Sequence, residues 1–140
     1  MYFPNIIAGK SVSDSAKIPG YYPPVVAAKA MIIGSQIQAT LGRAYKAGVK
    51  IAFGTDAGVY KHGNNWKEFT YMIEAGMKPM DAIKAATINA ATLLGKQNSI
   101  GTIEAGKLAD IIAVDGDPLK DMMVFGKVVF VMKNGREVGR

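Results

Sequence analysis

The sequence predicts an α/β fold: short parallel strands joined by helical crossovers, followed by a separate β element. Three observations carry this. Residues 2–53 run strand, helix, strand; helical periodicity then continues to Gly95; and from Ile100 onward the pattern becomes short β runs separated by turn signals. With 140 residues, 49% of them hydrophobic and 20% charged, the chain has the composition of a globular domain with a core rather than of a disordered segment.

The elements follow in order. Residues 2–7 form a short β-like piece, and a turn-rich stretch holding Gly9, Pro19, Gly20, Pro23 and Pro24 comes next. A helix then carries Ala30, Ile33, Ile37, Leu41 and Ala44 at spacings of three and four, with Pro24 suited to its start and Gly48 to a left-handed stop. Residues 49–53 are a strand buried on at least one face, ended by Gly54-Thr55-Asp56-Ala57-Gly58. The next helix opens on a capping box, Asn65 with Glu68 three residues later, turns Phe69, Met72 and Ile73 inward, and closes at Gly76. Pro79 opens another, whose stripe of Ile83, Ala86, Ala90, Leu93 and Leu94 ends at Gly95. Lys78 stands where Ser, Thr or Asp caps best, which weakens that start by about 1 kcal/mol.

Strands are then expected at residues 100–103, 110–114, 128–132 and 136–138, with Asn134-Gly135 as a hairpin turn. Two parallel strands alone leave unpaired edges of N–H and C=O groups. The expectation is therefore that these are the last units of a larger α/β sheet or barrel whose earlier strands lie outside this sequence.

Composition removes several chemistries. There is no Cys, hence no disulfide, thiolate nucleophile or Cys-based metal site. With a single His, a metal centre made from this chain alone would need carboxylates for nearly every ligand. The net charge of +6 comes from scattered lysines without a basic run, so no nucleic-acid partner is expected. The apolar runs are short, so no membrane span is expected, and the N-terminal residues show no export signal. No phosphate-binding loop, dinucleotide fingerprint or nucleophile elbow occurs. Asp115-Gly116-Asp117-Pro118 lacks the later ligands of a calcium loop and fits a strand-terminating turn.

Asp56 is the leading candidate for chemistry. It follows a strand in a loop softened by Gly54 and Gly58, where barrels and open α/β sheets carry their active sites. A carboxylate there can ligate a divalent ion and accept a proton from water; the plainer alternative is an Asx-turn within the loop. His62, on the following Gly/Asn loop, is either a substrate contact, a support that holds Asp56 in place, or a surface residue. Tyr21 and Tyr22 line a pocket or simply pack their loop, the latter being favoured.

Three blocks carry a family resemblance. They are Ala47-Gly48-Val49-Lys50-Ile51-Ala52-Phe53-Gly54-Thr55-Asp56-Ala57-Gly58 with His62-Gly63; Met72-Ile73-Glu74-Ala75-Gly76-Met77 running to Ala86-Thr87 and Leu93-Leu94-Gly95; and Gly101-Thr102-Ile103-Glu104-Ala105-Gly106-Lys107-Leu108-Ala109-Asp110. With these the chain resembles the C-terminal part of the metal-dependent amidohydrolase superfamily, in its imidazolonepropionase-like and Xaa-Pro dipeptidase (prolidase-like) branch.

The resemblance implies that residues 1–97 hold the last two β/α units of a TIM-type barrel and residues 98–140 the C-terminal half of a composite β-sandwich. It implies a hydrolase of small amide or dipeptide substrates working through metal-activated water, with zinc the expected divalent metal. Asp56 falls on the metal ligand and proton shuttle, and His62 on a substrate contact. The family's histidines and bridging Lys have no counterpart here, so the isolated chain is expected to be inactive and to hold no metal tightly. They would come from an N-terminal barrel portion or a companion chain. The alternative is a non-catalytic structural subunit that completes a barrel with such a companion.

Overall fold

The computed structural model describes residues 1–139 as a mixed α/β arrangement of helices followed by a small antiparallel sheet. Helices α1 (Ile6–Ala16) and α2 (Pro24–Lys46) come first, then α3 (Lys67–Glu74), α4 (Pro79–Lys84) and α5 (Ala90–Leu93). Strands β1 (Ile111–Val114), β2 (Val128–Lys133) and β3 (Arg136–Glu137) follow in the order β1-β2-β3. Ile6, Leu41, Ile51, Phe69, Met72 and Met77 form the centre of the core, joined by Met122 from the C-terminal part.

The two parallel segments are shorter than the sequence suggests. They meet in one bridge, Tyr2 with Ile51, through Tyr2 N–H to the Lys50 carbonyl (3.0 Å) and Ala52 N–H to the Tyr2 carbonyl (2.9 Å). Residues 2–7 are therefore not one strand. Asn5 adopts a left-handed conformation and α1 begins at Ile6, because the Ile6 and Ile7 amides are drawn to a carboxylate rather than to a strand partner.

That carboxylate is Glu68. Its Oε1 accepts from Ile6 N–H at 2.9 Å and its Oε2 from Ile7 N–H at 2.7 Å. The expected capping box is thus absent: α3 starts after Trp66 with no side-chain cap, and Glu68 serves the start of α1 instead. A carboxylate at a helix N-terminus meets orphan N–H groups and the positive end of the helix dipole. Glu68 is fully buried, and desolvation raises its pKa to about 7 against the opposing pull of the two amides.

Gly9 lies within α1 rather than in a turn, and its position explains its identity. A Cβ there would sit 2.6 Å from Ile37 Cδ1, and one on Gly34 would sit 2.9 Å from the Lys10 Cα. The two glycines let α1 and α2 pack backbone to backbone, and the buried Ser13 hydroxyl seals the crossing by donating to the Ala30 carbonyl at 2.7 Å. Helix α2 starts at Pro24 and ends before Gly48, whose φ is 74°, as its sequence signals require.

Helix α2 is also long and apolar enough, by length and composition, to cross a membrane. Its apolar residues are interrupted by Gly34, Ser35, Gln36 and Gln38, so no long unbroken apolar run marks it in the sequence.

The outer edge of residues 49–53 is not left open. Phe53 N–H donates to the Ala85 carbonyl at 2.9 Å, and Asn89 Nδ2 donates to the Ile51 carbonyl at 2.8 Å. Both partners come from a π-helical turn, Ala85–Asn89, between α4 and α5. The continuous stripe expected from Pro79 to Leu94 is therefore broken by one wide turn that points groups back at the bridge segment.

Residues 100–103 bend and form no strand. Gly101 has φ 96° and presses against Ala91, where an added Cβ would sit 2.7 Å from the Ala91 Cβ. The later strands form as expected, with Ile111 opposite Met132 and Lys133 opposite Arg136, and Asn134 and Gly135 both at positive φ in the hairpin. The sheet meets the helices through a short 3-10 turn, Met122–Gly126. Phe125 stacks on Phe69 at 4.2 Å between centroids, and Phe69 packs on Phe53 at 4.4 Å. The other face of the sheet leaves Ile112, Val129 and Val131 exposed.

Replacing Glu68 by Ala should destabilise the fold by about 2–4 kcal/mol, because two buried amides lose their acceptor. The pH dependence has a definite sign. Glu68 has a native pKa of about 7, above its ordinary 4.5, so the folded chain retains a proton that the unfolded chain loses. Stability should fall by up to about 3 kcal/mol as pH rises from 4.5 to 7 and then level off. Denaturant titrations across that range should show this slope, and Glu68→Gln should remove it.

Candidate functional site

The residues singled out for chemistry lie on the loop after the second parallel segment. Gly54 leaves Ile51 and Ala52 behind in the core, and the chain then emerges so that Asp56, His62 and Gly63 are all exposed. Asp56 has φ 45°, a conformation that L side chains seldom adopt.

This loop is held from within. Thr55, beside Asp56, is gripped twice: the Tyr60 hydroxyl donates to its carbonyl at 2.9 Å, and Asn65 Nδ2 donates to its Oγ1 at 3.0 Å. Asn65 Nδ2 also approaches the Tyr60 hydroxyl at 3.5 Å. Asn65 is thus not the cap expected of it; its amide closes the loop against Thr55. These bonds hold Thr55, the residue next to Asp56 in the chain. The sequence marks Asn65 as special, but a capping box and a loop clasp use the same residue type.

The Asp56 carboxylate makes no hydrogen bond or ion pair among the described residues, so the Asx-turn alternative does not form. By contrast Asp117 and Asp121 do bond backbone amides two residues on, at 2.9 and 2.8 Å, as an Asx-turn requires. Asp117 therefore belongs to the turn expected at 115–118. His62 is also without a hydrogen-bonded partner, and the structure does not join it to Asp56. Tyr21 and Tyr22 stack edge to face at 4.8 Å within their own loop, which agrees with the packing role.

Among the described residues no group of three or more His, Cys, Asp or Glu side chains stands close enough to hold a metal ion. Asp56 fits a single ligand position: an exposed carboxylate, uncommitted to neighbours, on a clasped loop after the second parallel segment. Remaining ligands would have to come from outside residues 1–139.

The Amidohydrolase family profile matches residues 10–138. A solved Xaa-Pro dipeptidase with methionine bound in its active site is 50% identical, with a TM-score of 0.95 over 99% of this chain and 34% of that one. Ochratoxinase of Aspergillus niger is 42% identical over 98 residues, covering 66% of this chain and 20% of its own length. Imidazolonepropionase of Fusobacterium nucleatum is 36% identical over 99 residues, covering 66% of this chain and 24% of its own length. The chain therefore spans about a third of the solved relative and a quarter or less of these two curated ones.

Loosening the clasp should loosen the loop. Tyr60→Phe and Asn65→Ala should each cost about 1 kcal/mol, the net worth of one hydrogen bond, and speed amide exchange at residues 56–63 relative to α2. Hydrogen–deuterium exchange read by mass spectrometry checks this; unchanged exchange in both variants would show that the clasp does not restrain Asp56. With its profile match over residues 10–138 and its close structural relatives, this chain belongs to the amidohydrolase family of hydrolases, of which it represents a part.

Proposed function

We propose that this chain is the C-terminal part of a metal-dependent amidohydrolase that cleaves amide or dipeptide C–N bonds with metal-activated water. In this reading residues 1–97 supply the last two β/α units of a TIM-type barrel. Residues 98–140 supply the C-terminal half of a small β-sandwich, whose other half would cover Ile112, Val129 and Val131. The observation that carries the reading is the uncommitted Asp56 carboxylate, on a clasped loop after the second parallel segment.

Zinc, the divalent ion of this reading, supplies Lewis acidity that polarises a carbonyl and acidifies water. Asp56 would take one ligand position and accept the proton of the attacking water. It would then deliver that proton to the departing amine nitrogen, so that one group serves as base and acid in turn. The clasp at Thr55 keeps the carboxylate in place through both transfers, and exposed His62 would contact substrate. The N-terminal portion, in the same chain or a companion, would bring the remaining ligands.

The test is a full-length hybrid: the N-terminal two thirds of the Xaa-Pro dipeptidase relative joined to this chain. It should bind zinc and hydrolyse dipeptides, and Asp56→Asn should lower kcat by about 10²–10⁴-fold, the usual worth of a general acid–base group. The isolated chain should hold no stoichiometric zinc. A folded hybrid that neither binds metal nor hydrolyses amides would refute the enzymatic reading and leave a structural subunit.

A further inference from the structure

Three described residues other than glycine have positive φ: Asn5 at 49°, Asp56 at 45° and Asn134 at 50°. Asn134 is explained by its hairpin. The other two stand where the two parallel segments end, just beyond the bridge between Tyr2 and Ile51. Left-handed non-glycine residues persist where the surrounding structure over-determines them, and they cluster at functional sites.

Asn5 precedes α1 as its N-cap, where an Asn side chain ordinarily accepts a bond from the first turn of the helix. It makes no such bond. The Ile6 and Ile7 amides are already satisfied by Glu68, reaching in from α3. The Asn5 side chain makes no capping bond and crosses instead to the neighbouring segment, where its Oδ1 would lie 2.6 Å from a Cβ placed on Gly54. Phe3 Cβ stands 3.5 Å from the same point, so Gly54 is the one residue that leaves this passage open. Two residues further along the chain is Asp56. Half-buried, the Asn5 amide has no hydrogen-bond partner among the described residues.

We propose that Asn5 is a substrate-binding residue of the hydrolase site, its Nδ2 donating to a carbonyl or carboxylate oxygen of the amide substrate beside Asp56. The assignment rests on the reading of Asp56 given above. A neutral amide suits the place: it orients an oxygen of the substrate without adding a charge that would compete with Asp56 for a cation. Glu68, Asn5 and Gly54 then act in series, the first capping α1, the second binding, the third giving it room.

The test uses the full-length hybrid with a dipeptide substrate. Asn5→Gly keeps the left-handed backbone and removes the amide; it should raise KM about tenfold, as expected for one lost hydrogen bond, with zinc content unchanged. Gly54→Ala, which displaces the amide, should raise KM in the same direction. An unchanged KM in Asn5→Gly would overturn the proposal, and so would an activity loss that follows loss of zinc. If Asn5→Gly fails to fold, Asn5→Asp serves: similar in size and tolerant of the same φ, it should raise KM with zinc retained, and an unchanged KM again overturns the assignment. Failure of the hydrolase reading shows separately, as absence of hydrolysis and zinc in the unsubstituted hybrid, and the assignment falls with it.

Discussion

The grip of one buried carboxylate on two backbone amides organises the N-terminal half of this chain. Glu68 belongs to α3 in sequence and to the start of α1 in function. Without it, the first turn of α1 would bury N–H groups with no acceptor, a cost larger than most single contacts return. With it, the end of the first parallel segment is fixed relative to α3, and so is the bridge from Tyr2 to Ile51. The arrangement buries a group that strongly prefers water, and the lost hydration raises its pKa.

Order where the parallel segments end comes from a few polar side chains rather than from apolar packing. The loop bearing Asp56 is largely exposed, and its restraints are the bonds from Tyr60 and Asn65 to Thr55. Hydrogen bonds are directional where hydrophobic contacts are not, so a short exposed loop can be held in one shape without being buried. That combination, a fixed backbone and an uncommitted carboxylate, is what a site needs if it is to meet a ligand that arrives from outside.

Much of the architecture was legible in the sequence because local chemistry determined it. Pro24 and Gly48 bound α2, Gly76 and Pro79 separate α3 from α4, and Asn134-Gly135 makes the hairpin, each through a backbone preference that needs no distant partner. What escaped were the features decided at long range. Residues 2–7 look like a strand by composition, yet Glu68 converts Ile6 and Ile7 into the first turn of a helix. Asn65 and Glu68 have the spacing of a capping box, but each has a stronger partner elsewhere in the fold. Gly9 looked like a loop residue because a close helix crossing leaves no periodic mark. Asp56 stands out in the sequence because the end of a strand is a known place for chemistry, whereas Asn5 lies inside a stretch that reads as β and carries no such mark.

The π-helical turn at Ala85–Asn89 is the counterpart of this on the other edge. It holds a residue more than an α-helix would use over the same rise, and each residue of helix carries about 100° of rotation. The surplus therefore resets the phase of everything downstream. It lets Ala85 and Asn89 both face residues 51–53 while Ala91 still faces Gly101. A lineage that lost one residue here would keep a perfectly good helix and turn it the wrong way round. Change of length, more than change of side chain, is the alteration this segment is least able to absorb.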